Sequence, residues 1–228
     1  MSQPRTKHFV LDFSGVKALR ADGETPIGRP GPGMAGRLTA WREERLVRRA
    51  LSDAGEPNLV LNLSSRSGHL WQVLTRHPNR IVIVGDDLAG ASAQSRTTRN
   101  PGVAGQVAVQ YPPLHIDLGE NAVDSIFCLR VLQRIENPQS RLQVLRELHR
   151  VTRDTLIISL WIDGNYQAWR RKRLESQRTL ERGQSARIVV PRRQIEEEFQ
   201  DVGFTVLSHM DLLPGYSMWR FYILRKTS

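Results

Sequence analysis

Glu120-Asn121-Ala122-Val123-Asp124-Ser125-Ile126-Phe127-Cys128 runs into Leu129, Arg130-Val131-Leu132 and, a few residues on, Asn137-Pro138. Ser125 to Leu129 is a short apolar run bounded by polar residues, which reads as a strand. Asn137-Pro138 reads as a helix start, with Asn as the cap and Pro at the first helical position. Leu142, Leu145, Leu148 and Val151 then supply a buried stripe at helical spacing, and Thr155 to Trp161 is the next strand. A strand, a helix and a second apolar strand form the repeating unit of a parallel sheet with crossover helices.

The same unit repeats upstream. Leu59 to Leu63 is the first strand, Ser64 to Gly68 a tight loop, and His69 to Arg76 a helix halted before Pro78. Ile81 to Val84 is almost purely apolar, the pattern of a strand buried on both faces. Asp86 and Asp87 close it, Ala89 to Arg96 reads as a helix, and Gln106 to Gln110 as the third strand. Before all of these, residues 35–54 read as a helix with Leu38, Trp41, Leu46, Val47, Ala50 and Leu51 along its apolar stripe, ended by Gly55. Residues 1–34 are an irregular leader rich in Pro and Gly, with a short edge strand at His8 to Phe13.

Downstream, a basic helical insert spans 164–190. Pro191 then opens a helix with Ile195, Phe199 and Val202 on its inner face, stopped by Gly203. Phe204 to His209 and Trp219 to Leu224 form a closing hairpin around Pro214-Gly215. The expectation is one α/β domain over 35–228. Its architecture is Rossmann-like and doubly wound, a mostly parallel seven-stranded sheet with an antiparallel C-terminal hairpin.

Bulk composition agrees with that class. The 228 residues are 39% hydrophobic and 25% charged, ordinary for a globular chain. The longest apolar run, Thr155 to Ile162, is far too short to cross a bilayer. Met1 to Lys7 is basic, but Asp12 and Gly15 interrupt the apolar stretch after it, so no signal peptide is expected. The single cysteine, Cys128, allows no internal disulfide and suits a cytoplasmic location. Net charge is +10, which favours acidic partners such as nucleic acid, anionic headgroups or phosphorylated sugars. Between Tyr166 and Arg193 the chain carries nine Arg and Lys against Glu175 and Glu181. Such a run is either a solvated helix face or a contact surface.

The order of elements, with the Glu120 to Cys128 stretch, Arg130-Val131-Leu132 and Asn137-Pro138, resembles class I S-adenosylmethionine-dependent methyltransferases. Leu145 to Leu148, Ser159-Leu160, Glu198-Phe199, Gly203-Phe204 and Arg220 to Tyr222 extend the likeness over residues 35 to 228. The subgroup it is most similar to is bacterial and methyltransferase type 11-like, including proteins associated with sugar kinases of lipopolysaccharide metabolism.

That resemblance implies S-adenosylmethionine as cofactor and places its site. Where the family carries Asp and several glycines, this chain has Asn62-Leu63-Ser64-Ser65-Arg66-Ser67-Gly68. Glycines there let the backbone approach the ligand closely. Here Gly68 alone remains, Asn62 replaces an acid, and Ser64 and Arg66 replace glycines. Arg66 either fills the pocket, swings into solvent, or binds an anion at the helix start. Asp86 falls where the family places the acid that accepts both ribose hydroxyls, with Asp87 one register on; either can instead cap the next helix. Leu129 and Arg130 are expected to face the methionine end, and Gln133-Arg134 stand where paired histidines are common. Tyr111 to His115 lacks the usual acid of the adenine segment.

Methyl transfer needs chiefly an in-line approach, so no catalytic residue is assigned. Asp163, Tyr166, His115 and His69 are candidates near the pocket rim, each with a structural role as the alternative. The six histidines and one cysteine show no metal spacing. Three functions stand as expectations. The first is a methyltransferase acting on a small or anionic, cell-envelope-related acceptor. The second is a non-catalytic binding or regulatory module with a protein partner such as a kinase, motivated by the substituted loop. The third, motivated by charge, is nucleic-acid binding.

Overall fold

In a computed structural model of the chain, the described residues are 34–63, 70–77, 80–87, 103–110, 115–177 and 188–227, with backbone alone at 35, 71, 83–87, 103–110 and 175–177. Their elements are α1 (Met34–Asp53), β1 (Leu59–Asn62), α2 (Trp71–Thr75), β2 (Ile81–Asp87), β3 (Val103–Gln110), β4 (His115–Ile116), β5 (Val123–Leu129), α3 (Pro138–Val151), β6 (Thr152–Trp161), α4 (Tyr166–Gln177), α5 (Arg192–Asp201), β7 (Phe204–Asp211) and β8 (Trp219–Lys226).

The strands form one sheet in the order β4-β3-β2-β1-β5-β6-β8-β7. β3, β2, β1, β5 and β6 run parallel, and the β7–β8 hairpin and β4 run antiparallel to their neighbours. This is the Rossmann-like arrangement expected, with the two-residue β4 added at the outer edge. Strand order reverses between β1 and β5, so the crevice above their carboxyl ends is a topological switch point, where open α/β sheets bind ligands.

Local chemistry explains most boundaries. The Asn137 side chain accepts from the Gln139 N–H at 2.9 Å, with Pro138 at the first position, and so caps α3. α1 ends in a Schellman turn. Gly55 sits at φ +81°, the Glu56 N–H reaches the Leu51 carbonyl and the Gly55 N–H reaches that of Ser52. Asp124, at the mouth of β5, accepts from the Leu59 N–H at the start of β1 and from Arg153, each at 2.9 Å. It therefore ties the two central strands together. α3 passes into β6 with no intervening loop, so β6 begins at Thr152, three residues before Thr155.

Two apolar layers sandwich the sheet. On one side α3 and α5 bury Leu145, Leu148, Ile195 and Phe199 against Leu61, Ile126, Ile158 and Tyr222. On the other, α1 and α2 bury Val47, Ala50, Leu51 and Leu74 against Val60, Phe127, Ile157 and Phe221. Each fully buried side chain of this kind contributes about 1.5–3 kcal/mol. Burial differs from the expected stripes in three places. On α3 the buried set is Ser140, Arg141, Val144, Leu145, Leu148 and Val151, while Leu142 is half-buried. On α1, Leu38 and Trp41 are exposed by 64% and 55%, because those turns precede the part of the helix that crosses the sheet. Ile81, expected to be buried, is exposed at the start of β2, whereas Val82 is fully buried.

Candidate functional site

Side chains alternate across a strand, so the two layers show which residues share the carboxyl edge on the α1 side. On β1, Val60 faces α1 while Leu61 and Leu63 face α3 and α5, which turns Asn62 toward α1 at the strand end. On β5, Phe127 and Leu129 face α1, as do Ile157 and Trp161 on β6 and Trp219 and Phe221 on β8. Ser159 lies between Ile157 and Trp161 on the same side and is paired with Leu129 and with Phe221. Glu43 belongs to the α1 face that continues through Val47 and Ala50. Asn62, Glu43 and Ser159 are all buried polar residues at this edge.

Arg130 brings the cluster together. It follows β5 directly and adopts φ +66°, a left-handed conformation that costs a side-chain-bearing residue about 1–2 kcal/mol. Its N–H is shared between the carbonyl and the hydroxyl oxygen of Ser159, each at 3.3 Å. The guanidinium donates to Glu43 Oε1 at 2.7 Å and lies 4.2 Å from the ring centre of Trp219. Trp219 Nε1 is buried and has no acceptor. An unsatisfied buried donor costs about 1–3 kcal/mol. A strained backbone, a part-buried ion pair and an orphan donor thus meet at the switch point.

The positions expected from the sequence divide into three groups. Asn62, Leu129 and Arg130 are brought together at the carboxyl edge. Asp86 and Asp87 extend β2 to that same edge, opposite Ala108 and Val109 of β3; their side chains lie outside the described residues. Ser64, Arg66, Gly68 and His69 also lie outside them.

The other rim candidates serve the scaffold. His115 is on the outermost strand, 3.3 Å from Glu147. Burial would raise the Glu147 carboxyl, but hydrogen bonds from Arg150 and the Ile116 N–H, with the nearby charges of Arg150 and His115, hold it below the usual range. Asp163 accepts from the Arg192 N–H at 2.9 Å and so anchors the start of α5. Tyr166 stacks on Tyr216 at 5.5 Å. Gln133 is buried with its Oε1 unpartnered, and its carbonyl accepts from Ile188 where the chain returns beside β6. Burial pushes the Cys128 thiol up to about 12, which removes it as a nucleophile. Among the described residues no group of His, Cys, Asp and Glu is placed to hold a metal ion, and no helix is long and apolar enough to cross a membrane.

Glu43, Ser159 and Trp219 are not among the site residues expected from the sequence, where Ser159 enters only through the family likeness and Trp219 only as a strand start. A signal existed for Glu43 alone: it stands four residues before Val47, at a position where the apolar stripe predicts a hydrophobic side chain.

No protein-family model and no curated protein matches the chain. Solved structures do. Magnesium protoporphyrin IX methyltransferase from Synechocystis PCC 6803 with bound SAH superposes with a TM-score of 0.63 at 16% identity, covering 90% of each chain. N,N-8-amino-8-demethyl-D-riboflavin dimethyltransferase from Streptomyces davawensis gives 0.58 at 16% identity, over 84% of this chain and 55% of that one. A SAM-dependent methyltransferase from Methanosarcina mazei gives 0.53 at 10% identity, over 75% and 92%. At such identities the likeness establishes the fold, that of class I methyltransferases.

Proposed function

We propose that the chain is a methyltransferase-like protein of residues 35–228 that takes S-adenosylmethionine at the carboxyl edge of β1, β2 and β5. The observation that carries the reading is the cluster around Arg130. Backbone strain and unsatisfied buried polar groups persist where a function requires them. Here one left-handed residue, Arg130, and one unpartnered buried donor, Trp219 Nε1, coincide at the switch point of a fold shared with methyltransferases.

The described donors and acceptors fit the amino-acid end of that cofactor. The Arg130 guanidinium and the Trp219 N–H suit a carboxylate, and the Glu43 carboxylate and the Asn62 amide oxygen suit an ammonium group. Asp86, or Asp87, is the proposed ribose acceptor. When bound, S-adenosylmethionine supplies an electrophilic methyl on its sulfonium. The chain's own part is to orient and to exclude water. Trp161 and Trp219, nearly buried, wall the α1 side, and the Arg130–Glu43 pair fixes the polar end. Positioning of this kind can supply most of the acceleration for an in-line displacement. The acceptor we propose is small or envelope-related and anionic, and the compartment is the cytoplasm.

The second reading, a non-catalytic module with a protein partner, draws on the same pair. Arg130 and Glu43 already neutralise each other at 2.7 Å, so the edge is stable without a ligand. Calorimetry with S-adenosylmethionine and its demethylated product separates the two readings. Heat at micromolar to millimolar ligand that is lost in Arg130→Ala supports the first. No heat with either ligand overturns it and leaves the second.

A further inference from the structure

We propose that the surface formed by the start of α1, by α4 and by the β7–β8 turn docks the protein on an anionic lipid bilayer. This rests on surface chemistry and does not depend on methyl transfer.

Three segments meet at this place. Arg42 of α1 donates from Nε to the Leu212 carbonyl at the β7–β8 turn. The first N–H groups of α4, those of Tyr166 and Gln167, donate to the carbonyls of Gly215 and Tyr216, each at 3.0 Å. Trp219 pairs with Trp161 at the end of β6, so the turn lies at the carboxyl edge of the sheet.

Water-facing apolar bulk collects there. α1 exposes Met34 by 88%, Leu38 by 64% and Trp41 by 55%. α4 adds Tyr166, Trp169 and Leu174, and the turn adds Leu213 and Tyr216, each exposed by 41–56%. Elsewhere among the described residues Ile81 and Leu207 are the only large apolar side chains exposed to this degree. Concentration of this kind marks a contact surface, since scattered single residues are the norm.

The charge chooses the partner. Residues 34–46 carry Arg37, Arg42 and Arg45 against Glu43 and Glu44, and Glu43 is buried against Arg130. Residues 163–177 carry Arg170, Arg171, Lys172 and Arg173 against Asp163 and Glu175, and residues 212–218 carry no charge. Seven cations against four acids, with Trp and Tyr among them, match the headgroup zone of an anionic membrane. Arg173 lies over the Trp169 ring, 5.6 Å from its centre, and Arg45 over that of Trp41 at 5.8 Å, so cations and aromatics share one surface. Single-stranded nucleic acid would use the aromatics and the cations, but it has no use for Met34, Leu38, Leu174 and Leu213. Acyl chains do.

The test is co-sedimentation of the full chain with vesicles of phosphatidylcholine alone and of phosphatidylcholine mixed with phosphatidylglycerol, at low and high salt. Binding is expected to the mixed vesicles and to weaken with salt. Neutralising Arg170, Lys172 and Arg173 to Gln should lower the partition coefficient about fivefold per cation, roughly a hundredfold together. Leu38→Ser with Leu213→Ser should weaken binding at both salt concentrations. All five side chains are exposed, so the fold should be unaffected, and an unchanged melting temperature verifies this. Three results would overturn the proposal: no preference for anionic vesicles, unchanged binding by either variant, or displacement from vesicles by a single-stranded oligonucleotide whose binding ignores the two leucine changes.

Discussion

Two arginine–glutamate pairs, one buried and one part-buried, sit on opposite sides of the sheet, and they are built differently. Arg141 of α3 meets Glu198 of α5 through Nε and a terminal nitrogen, at 3.0 and 2.6 Å, and its other terminal nitrogen donates to the carbonyls of Ile135 and Glu136. Gln194 adds a third donor to Glu198. Arg130 meets Glu43 from a left-handed backbone, over a tryptophan whose N–H has no acceptor. The first pair holds two helices and a loop in register. The second retains strain and an unmet donor where the strand order reverses. Polar burial in the first serves architecture; in the second it lies at the edge for which ligand binding is proposed.

The largest effect should come from breaking the first pair. Arg141→Ala leaves Glu198 buried without its partner and should cost about 3–5 kcal/mol, read as a fall in the urea midpoint at constant slope. The paired change Arg141→Met with Glu198→Leu should recover most of this. If the single variant loses less than about 1 kcal/mol, the contrast between the two pairs is wrong.

Next in size is Arg130→Lys. It keeps the charge but loses the guanidinium over the Trp219 ring and its hydrogen bond to Glu43. Stability should change by about 1 kcal/mol or less. The affinity for S-adenosylhomocysteine in calorimetry should fall about tenfold. Equal loss of stability and affinity would make Arg130 a second scaffold arginine. Trp219→Phe is a smaller and sharper probe. It keeps the ring and deletes the orphan N–H, so the melting temperature should hold or rise slightly, while ligand affinity drops a few-fold.

The smallest expected effect is a pH dependence on the scaffold side. Burial and the neighbouring Lys226 depress the His149 pKa, and burial with Arg220 and Arg192 depresses that of His209. Each histidine takes a proton more readily in the unfolded chain. Stability is therefore complete above the unfolded pKa of about 6.5 and declines as pH falls through it toward the lower folded values. Melting temperatures from pH 7.5 down to about 5 should fall. The slope should be shallower in His149→Asn and in His209→Asn.

Short-range signals made the fold legible. Apolar runs, the Asn137-Pro138 cap and the Pro214-Gly215 turn each act over a few residues, and each marks a real boundary. Asn62, Leu129 and Arg130 carry no such short-range signal: the family resemblance named them, by placing a ligand after β1 and β5. What could not be read is long-range pairing. Helical spacing put Arg141 beside a stripe but could not supply Glu198, 57 residues away. Nor could it say that α1 begins beyond the edge of the sheet, which converts Leu38 and Trp41 from core to surface. Glu43 and Trp219 became visible once α1 and β8 were seen converging on Arg130.

The insertion of β8 between β6 and β7 sets an order of assembly. β7 leaves the ribosome before β8, yet its partner within the sheet is β8. Until residues 219–226 emerge, β7 has no place in the sheet and α5 has no Tyr222 for Phe199 to pack against. Lys226 then secures the hairpin, donating to the carbonyls of His149 and Thr152 and to the Asn121 side chain at 2.7–3.1 Å. A nascent chain halted at Met218 would carry a finished parallel half-sheet with a bare β6 edge, open to pairing with another copy.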